Sequence, residues 1–412
     1  MAWILYYILM YLFVGLIRIS SLWSEKSRNW IAGRKQWKSK LDLRLKTGPR
    51  IWFHVSSLGE FEQARPVIEK LKDRDKDIEI ILTFFSPSGY LIRSGYPLAT
   101  VRYLPPDLPG HATRWIAAVQ PDLAVFVKYD LWPGYLRALD QNQIPAILFS
   151  AHWSPGSWFA SHNISPTKGL LKKFKRIFFQ YGDDLTYFHK KGFGNLSVAG
   201  DTRIDRSLEL PNEVFKRVPI SLSDSPRFDL VAGSTWPADE KIIREAIVQL
   251  NLRAILAPHD VSEANITRLE ALFPFPVTRL SRFKESGINP AVVIVDSIGV
   301  LNVLYALGRI AYVGGGLGAG IHNTLEPMAH AKPILFGPAY DQFPEAMEMV
   351  RVKSAIPVRN ARELIDAIIH FQQPGEAEKA GQTAYQYLMN NSGASDKVTN
   401  YIMESIPYSA KK

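Results

Sequence analysis

The segment Tyr312–Pro327 combines a glycine-rich loop with polar side chains suited to binding a nucleotide. An apolar stretch leads into the loop, and a helix is predicted to start near residues 322–324. Glycines let backbone N–H groups approach a phosphate closely, and the amino end of a helix adds partial positive charge. The spacing matches neither a P-loop nor a GxGxxG loop. His322, Asn323 and Glu326 lie within about one helical turn, so the segment predicts a phosphate or nucleotide site, with a tightly packed turn as the alternative.

Two other loops carry residues suited to the same ligand. Ser234 and Thr235 follow a predicted strand, where they suit either capping of the next helix or bonding to a phosphate oxygen. His259 follows another predicted strand and is either a phosphate contact or a solvated loop histidine. All three therefore remain candidates with a structural alternative.

Glu60 is the candidate for acid–base chemistry in the first half of the chain. It follows a short apolar strand and stands at the predicted start of a helix. The helix dipole stabilises a carboxylate there, and a general base is the functional interpretation of the same position. Lys128 and Asp130 end another strand, where an ion pair is the simpler interpretation. His54 lies inside a strand and is expected at the core or its rim.

Short apolar segments alternate with helical ones from residue 51 onwards, a pattern typical of doubly wound parallel α/β sheets. The residues named above follow the carboxyl ends of predicted strands, where such sheets bind ligands. A helical region is predicted over 361–405. The predicted strands are 51–55, 78–85, 123–127, 146–149, 176–180 and 197–199, then 230–233, 254–257, 291–295, 310–313 and 334–336.

Two Rossmann-like domains whose parallel sheets face a central cleft account for this pattern. Pro, Ser and charged residues without periodicity predict the linker between them. The predicted divisions are a membrane anchor over 1–23, an N-terminal domain over 24–206, a linker over 207–227, a C-terminal domain over 228–390, and a C-terminal helix over 391–412 that packs back on the N-terminal domain.

The first 23 residues predict a membrane anchor helix. Ala2–Ile17 contains no charged residue, and Arg18 interrupts the apolar run before residues 19–23. A full span needs about 20 apolar residues, so the segment either spans the membrane or lies in its interface. Trp3 and Trp23 suit the aromatic belts at membrane surfaces. A cleaved signal peptide and a buried core helix are the alternatives.

The charge of the chain is concentrated beside this anchor. The 412 residues carry a net charge of +10, of which the first 50 hold +8. Because a nucleic-acid binder more often spreads basic residues over a face, we predict inner-membrane phospholipids and no nucleic acid as partners. The positive-inside tendency then places the domains in the cytoplasm. The absence of Cys excludes thiolate metal sites and a Cys nucleophile, and no metal-binding motif is present.

Motifs in five places resemble those of the bacterial Kdo transferases, the 3-deoxy-D-manno-octulosonic-acid transferases of lipopolysaccharide biosynthesis (glycosyltransferase family 30). The resemblance runs from the N-terminal anchor to about Pro344. The matching segments are His54–Glu60 (H-x-x-S-x-G-E), Asp130–Pro133 (E-L-W-P), Ala199–Asp205 (T-G-N-x-K-x-D), Gly233–Glu240 (A-S-T-H-x-x-E-E) and Gly314–Pro327 (G-G-S/G…G-H-N-x-L-E-P).

The resemblance implies a GT-B fold and a metal-independent, inverting transfer of Kdo from CMP-Kdo to a lipid A precursor, lipid IVA, at the inner membrane. It implies that the N-terminal domain, 24–206, binds the acceptor and that the C-terminal domain, 228–390, binds the CMP-sugar donor. It also implies Glu60 as the catalytic base. The residues implied to bind substrate are Ser57, Gly59, Ser234, Thr235, His259, Gly315, Gly316, His322, Asn323 and Glu326.

Five positions depart from the family pattern. Lys128 and Tyr129 stand where many members have Glu and Thr, and Asp130 replaces Glu. Trp236 replaces the usual His, and Pro258 stands before His259 where Arg is usual. Two alternatives stay open: a GT-B transferase with a UDP-sugar donor, and a membrane-tethered binding protein without catalysis.

Overall fold

The structure, a computed structural model, describes residues 2–35, 37, 46–153, 169–214, 227–283 and 290–406. The chain forms two compact units. Unit 1 comprises Met1–Asp205 and Ser392–Lys412, and unit 2 comprises Arg206–Asn391. The predicted linker begins in a helix that ends at Leu208 and continues in a 3-10 turn, Leu210–Glu213. Its residues 215–226 lie outside the described part of the chain.

Unit 1 contains a seven-stranded sheet in the order β3-β2-β1-β4-β5-β6-β7, in which neighbouring strands are parallel. Every residue of the central strands β1 and β4 is buried, as expected when helices cover both faces of a sheet. The strands are β1 Arg50–Val55, β2 Glu79–Phe84, β3 Thr100–Tyr103, β4 Leu123–Val127, β5 Ala146–Ala151, β6 Arg176–Phe179 and β7 Leu196–Val198.

Unit 2 contains a second seven-stranded sheet, in the order β10-β11-β9-β8-β12-β13-β14, and its neighbouring strands are again parallel. The strands are β8 Phe228–Thr235, β9 Ala254–Pro258, β10 Thr278–Arg279, β11 Val292–Ile294, β12 Gly308–Val313, β13 Ile334–Phe336 and β14 Ala355–Pro357.

Helices connect the strands in both units. Those of unit 1 are α1 Ala2–Ser20, α2 Glu25–Arg34, α3 Leu58–Arg74, α4 Pro87–Arg93, α5 His111–Val119, α6 Pro133–Gln141, α7 Gly182–Lys190, α8 Thr202–Leu208 (which runs into unit 2) and α16 Ala394–Ser405. Those of unit 2 are α9 Pro237–Leu250, α10 Glu263–Glu270, α11 Leu301–Leu304, α12 Leu325–Ala329, α13 Pro344–Arg351, α14 Ala361–Gln372 and α15 Glu376–Asn390.

Alternation along the central strands gives each sheet two apolar faces. In β1, Phe53 and Val55 join the core cluster on one side, whereas Trp52 joins the cluster on the other. In β8, Ala232 and Val231 divide in the same way. Successive side chains of a strand point to opposite faces, so continuous apolar runs are required where both faces are covered by helices.

The helix α16 completes the core of unit 1 although it follows unit 2 in the chain. Val398 and Ile402 are fully buried in the cluster that contains α3. The Asp205 carboxylate accepts hydrogen bonds from the Gly393 and Ser395 N–H groups, both at 2.6 Å, at the amino end of α16. This carboxylate therefore caps the helix and stabilises its start.

The predicted α/β class with two parallel sheets is confirmed. Three edge or next-to-edge strands were not predicted: β3, β10 and β14. Among the described residues one helical window, Trp3–Ser20, is long and apolar enough to cross a membrane by length and composition.

The strand orders locate one crevice in each sheet. In unit 1, β1 connects to β2 on one side of it, whereas the adjacent strand β4 connects to β5 on the opposite side. In unit 2, β8 connects to β9 and the adjacent strand β12 connects to β13, again in opposite directions. Open α/β sheets bind ligands outside the carboxyl ends of two such strands. These two crevices are therefore the places to look for a site.

Candidate functional site

Glu60 lies at the crevice of unit 1, in the first turn of α3. Ser57 is the N-cap of this helix, and its hydroxyl accepts a hydrogen bond from the Glu60 N–H at 3.4 Å. The Glu60 carboxylate in turn accepts hydrogen bonds from the Ser57 N–H at 3.1 Å and from the Ser56 N–H. This reciprocal pair is a capping box, so the serines after β1 fix the position of the carboxylate.

Asp130 brings a second carboxyl group to the same crevice from the end of β4. It is 8% exposed, and its Oδ1 accepts a hydrogen bond from the Ser56 hydroxyl at 2.6 Å. Its carboxyl group also hydrogen-bonds to that of Glu60. Asp130 and Glu60 thus form a pair of carboxyl groups in contact.

The two carboxyl groups hold their protons differently. Burial, together with the nearby charge of Glu60, raises the pKa of Asp130 well above its usual range. Burial also raises the pKa of Glu60, but two backbone N–H groups and the positive charge of Lys128 oppose that rise. Because like charges in contact cannot both ionise easily, these surroundings favour a proton on Asp130 and a charge on Glu60.

His54 lies behind this pair, fully buried in β1. Its Nδ1 is 2.9 Å from the Thr83 hydroxyl, which accepts from Trp52 and donates to a backbone carbonyl. His54 must therefore donate from Nδ1 and leave Nε2 unprotonated, and burial lowers its pKa to about 3. Nε2 lies 3.6 Å from Asp130 Oδ2. A protonated Asp130 suits this neighbour, since an ionised carboxylate has no proton to donate.

Backbone strain marks three strand ends near these crevices. Lys128 after β4 has φ 60°, Ser150 within β5 has φ 54°, and Ser234 within β8 has φ 53°. A positive φ is uncommon for residues other than glycine, and such strain concentrates at functional sites. These conformations cannot be read from residue type, so the sequence alone did not single them out together.

The crevice of unit 2 is formed by the glycine-rich loop after β12. A Cβ on Gly316 would lie 2.7 Å from the backbone N and O of Gly337, and Gly315 has φ 94°. Both glycines are thus required by close backbone approach. The loop lines a cavity of about 350 Å³, whose other walls include Trp236, Asp239 and His322. This volume is within the range of small-ligand pockets.

Asp239 holds the loop in place and was not predicted. It is 1% exposed, and its Oδ2 accepts from the N–H groups of Gly315 and Trp236, both at 2.9 Å. Its Oδ1 accepts from the Tyr312 hydroxyl at 2.8 Å. Its position in the first turn of α9 was the available signal, because acidic residues there commonly accept backbone N–H bonds.

The start of α9 corrects one expectation. We considered Ser234 and Thr235 as caps for this helix, but its N-cap is Trp236 and its first residue is Pro237. Proline is well suited to the first helical position because its φ is already set there. The Thr235 hydroxyl instead donates to the buried Glu240 carboxylate at 3.3 Å.

Three aromatic rings lie together at the cavity. His259 stacks on Trp236, with ring centroids 4.5 Å apart, and on His322, at 4.8 Å. The Trp236 Nε1–H donates to His322 Nε2 at 3.1 Å. His322 therefore carries its own proton on Nδ1, and burial together with His259 lowers its pKa. A neutral His322 can donate one hydrogen bond from Nδ1 to a ligand.

The helix after the loop begins slightly later than predicted and is short. It spans Leu325–Ala329. Asn323 Oδ1 accepts from the Leu325 N–H at 3.1 Å, and Asn323 Nδ2 donates to Glu326 Oε1 at 3.1 Å. Asn323 thus caps the helix and positions the Glu326 carboxylate. So short a helix contributes little dipole, and the loop N–H groups must supply most of the positive potential.

The predicted site residues divide between the two crevices. Ser57, Gly59 and Glu60 lie at the unit 1 crevice, and the others lie at or beside the unit 2 crevice. A Cβ on Gly59 would have its nearest neighbour at 3.9 Å, so packing does not require glycine there. Within the described ranges no group of three or more His, Asp or Glu side chains is placed to hold a metal ion.

Solved structures with the same architecture define the class of fold. The chain resembles UDP-GlcNAc 2-epimerase from Neisseria meningitidis bound to UDP-GlcNAc (TM-score 0.58, 14% identity, 86% of this chain and 99% of the other). It also resembles MurG from Acinetobacter baumannii (TM-score 0.56, 11% identity, 86% and 99%). A glycosyltransferase from Rickettsia africae is similar as well, with a TM-score of 0.54 and 15% identity, over 88% of this chain and 100% of the other. The fold is of the GT-B type.

Sequence comparisons show which family the chain is similar to. Residues 31–206 match the model of the 3-deoxy-D-manno-octulosonic-acid transferase (kdotransferase) family. The chain is 26% identical to 3-deoxy-D-manno-octulosonic acid transferase of Haemophilus influenzae over 95% of this chain and 94% of the relative. It is 27% identical to the Aquifex aeolicus transferase of the same name over 76% and 84%. The predicted resemblance is confirmed: this chain is a relative of the Kdo transferases.

Proposed function

We propose that this protein transfers Kdo from CMP-Kdo to a lipid A precursor in lipopolysaccharide biosynthesis. The observation that carries the proposal is the similarity to relatives named 3-deoxy-D-manno-octulosonic acid transferase along 95% of the chain, hence through both units. The carboxyl pair of unit 1 and the glycine-rich cavity of unit 2 supply groups suited to this reaction. The lipid IVA acceptor and the cytoplasmic face of the inner membrane are part of the same proposal.

Glu60 serves as the general base. The acceptor hydroxyl transfers its proton to the Glu60 carboxylate and forms a C–O bond to the anomeric carbon of Kdo. The bond from that carbon to the CMP phosphate breaks, and CMP leaves with the electron pair. Attack opposite to the leaving group inverts the anomeric configuration. Asp130 keeps its proton and donates a hydrogen bond to Glu60, which positions the base without adding a second negative charge.

The unit 2 cavity binds the donor and stabilises the leaving group. The Gly315 N–H is bonded to Asp239, and other loop N–H groups are bonded to backbone carbonyls. The donors proposed for the phosphate are therefore the N–H of Gly316 and the Nδ1–H of His322, as electrostatic stabilisation of a leaving group requires. Asn323 and Glu326 contact the ribose. Ser234, Thr235 and His259 form the neighbouring wall, with Thr235 contributing through its backbone because its hydroxyl is bonded to Glu240.

Turnover of CMP-Kdo with a lipid A precursor, followed by mass spectrometry of the lipid, tests the proposal. We expect the lipid mass to rise by the mass of one or more Kdo residues and CMP to be released. Release of CMP without a heavier lipid, or an unchanged donor, would contradict transfer.

A calorimetric comparison of CMP with UDP separates the proposed donor from the main alternative. The fold-level resemblance to a UDP-GlcNAc-bound epimerase gives that alternative its basis. We expect CMP to bind more tightly than UDP. Tighter UDP binding would favour a UDP-sugar donor, and binding of CMP without turnover would favour a non-catalytic tethered protein.

A further inference from the structure

One side of α1 is packed on unit 1. Met10 and Val14 are 9% and 8% exposed, and the Tyr6 hydroxyl donates to Asp107 Oδ2 at 2.8 Å. These three helical residues recur every four positions, which places them along a single side of the helix. We call this side, including Trp3 and Phe13, the inner face of α1.

The contacts of the inner face extend along most of the helix. At the amino end, the Arg137 guanidinium lies 5.3 Å from the centre of the Trp3 ring. Further along, Phe13 stacks on Phe85 with ring centroids 6.0 Å apart and meets Trp30 edge-on at 6.2 Å. The helix therefore lies against unit 1 from its first turn onwards and does not project away from it.

Asp107 is a fixed attachment point for this helix. It is fully buried, and its Oδ2 accepts from the Gly134 N–H at 2.7 Å as well as from Tyr6. A Cβ at Gly134 would lie 2.0 Å from Asp107 Oδ1, so the glycine makes room for the carboxylate. A buried carboxylate with two such donors holds the helix in a defined orientation.

The opposite side of α1, its outer face, exposes a continuous apolar surface. Its exposed residues, each 50–67% exposed, include Ile4, Leu5, Ile8, Leu9, Leu12 and Leu16. Exposed basic residues follow at its carboxyl end: Arg18, Lys26 and Arg28. Apolar area bordered by basic side chains complements a bilayer with anionic headgroups.

We propose that α1 lies in the plane of an anionic lipid bilayer, with its inner face held on unit 1 and its outer face inserted among the acyl chains, and that it does not cross the bilayer. A crossing helix that kept its contacts would carry Asp107 and Arg137 into the hydrocarbon, where charged groups are strongly disfavoured. An in-plane helix keeps every contact and buries the outer face about 5–10 Å deep.

This proposal refines the membrane attachment in the proposed function and rests on it. The tests below measure the position of the helix and not the transfer of Kdo. A protein that fails to transfer Kdo could therefore still show an in-plane helix. A crossing helix would equally leave the proposed transfer of Kdo possible.

Depth measurement is the first test. The chain has no Cys, so single variants Leu5→Cys, Leu12→Cys and Leu16→Cys can each carry one spin label. In vesicles of phosphatidylethanolamine and phosphatidylglycerol we expect the same shallow depth at the three positions. Asp366→Cys, on an exposed position of α14, is the aqueous control. A depth that reaches the bilayer centre near position 12, or protein that does not bind the vesicles, would overturn the proposal.

Sidedness is the second test. Ala2→Cys and Leu22→Cys mark the two ends of α1. We expect a membrane-impermeant maleimide to reach both thiols from the same side of native membranes. Labelling of the two positions from opposite sides would show a crossing helix.

A matched pair of variants tests the inner-face contact. Tyr6→Phe removes only the hydroxyl that binds Asp107, whereas Tyr11→Phe changes a residue that is 57% exposed. In the vesicle-bound protein we expect amide exchange of α1 to rise several-fold for Tyr6→Phe and to stay unchanged for Tyr11→Phe. Equal exchange in the two variants would indicate a helix detached from unit 1.

Discussion

Glu60 and Asp130 are two carboxyl groups in contact whose surroundings give them different roles. Glu60 accepts two backbone N–H bonds and is near Lys128, so its charged form is stabilised. Asp130 is more deeply buried, so its neutral form is stabilised. Environments that push two pKa values apart assign base and donor roles in many active sites.

Glu60→Gln tests the role of the base. The amide has nearly the same shape but cannot accept the proton, so we expect kcat to fall by about 10²–10⁴-fold. The affinity for CMP should be unchanged, because the predicted CMP contacts lie in unit 2. Glu62→Gln on the same helix, which loses only surface ion pairs with Arg65 and Arg93, is the control. Wild-type turnover in Glu60→Gln would remove Glu60 from the mechanism.

Asp130→Asn tests the proton on the second carboxyl group through stability. An unfolded Asp ionises above about pH 4, whereas burial and Glu60 raise the pKa of folded Asp130. The wild type therefore loses stability as pH rises, and the variant, whose amide at this position cannot ionise, does not. We expect the Tm of the variant minus that of the wild type to increase between about pH 4 and 8. The increase should be about 2–4 °C for each kcal/mol of change in the free energy of unfolding.

Thermal unfolding at a series of pH values measures this difference. Asp366→Asn, which changes an exposed carboxylate, should show no such trend. A difference that stays constant with pH would mean that Asp130 is ionised in the folded protein.

The contact between these residues shows what the sequence could and could not predict. The position of Glu60 after an apolar strand made it a candidate, and the resemblance of His54–Glu60 to a family motif selected it as the base. The bond from Ser56 to Asp130 joins residues separated by 74 positions and depends on β1 lying beside β4. Strand order is set by packing of the whole sheet, so this pair required the structure.

At the scale of elements, the glycine-rich loop depends on close contact between two backbone segments. Gly316 and Gly337 approach each other at the ends of β12 and β13, and Gly314 approaches the backbone of Ser234 within a distance that excludes a Cβ. This packing and the bonds to Asp239 fix the backbone of the loop.

Gly316→Ala should disrupt this loop. Its Cβ would lie 2.7 Å from the backbone of Gly337, which has no flexible side chain to move away. We expect CMP affinity to fall by at least about ten-fold, which corresponds to about 1.4 kcal/mol, as measured by calorimetry. Gly318→Ala is the matched control, because its Cβ would have its nearest neighbour at 3.5 Å. Wild-type affinity in Gly316→Ala would exclude the loop from the CMP site.

Long buried strands were predictable, whereas three of the four edge strands of the two described sheets, β3, β10 and β14, were not. Strand β4 was predicted with its bounds, since LAVFV is apolar throughout. Strand β3, TVRY, alternates between partly buried and buried residues and lies at the sheet edge. Its polar residues face solvent, which weakens the apolar signal on which sequence prediction depends.

At the scale of the molecule, part of the net charge of +8 in the first 50 residues lies beside the helix α1. Arg18, Lys26 and Arg28 are exposed beside the outer face of α1, whereas Arg34 and Arg50 are buried. The proposed membrane contact thus combines insertion of apolar side chains with attraction to anionic headgroups, two signals that together give firmer binding than either alone.

Removal of residues 1–23 should weaken membrane association and spare donor binding. Sedimentation with membranes measures the first, and calorimetry with CMP measures the second. Leu5→Gln, Leu9→Gln and Leu12→Gln combined form a matched variant, since they change only exposed outer-face residues. We expect both proteins to shift into the supernatant. A truncated protein that still sediments fully would assign the attachment to the basic segment or to another apolar face of unit 1.

The capping of α16 by Asp205 has a consequence for biosynthesis. The ribosome completes most of unit 1 first, then all of unit 2, and only afterwards releases the helix that fills the unit 1 core with Val398 and Ile402. Unit 2 can therefore finish folding while unit 1 still exposes an apolar groove beside α3. Such exposed surfaces favour aggregation of nascent chains, so unit 1 is the part of this protein that depends most on protection during synthesis.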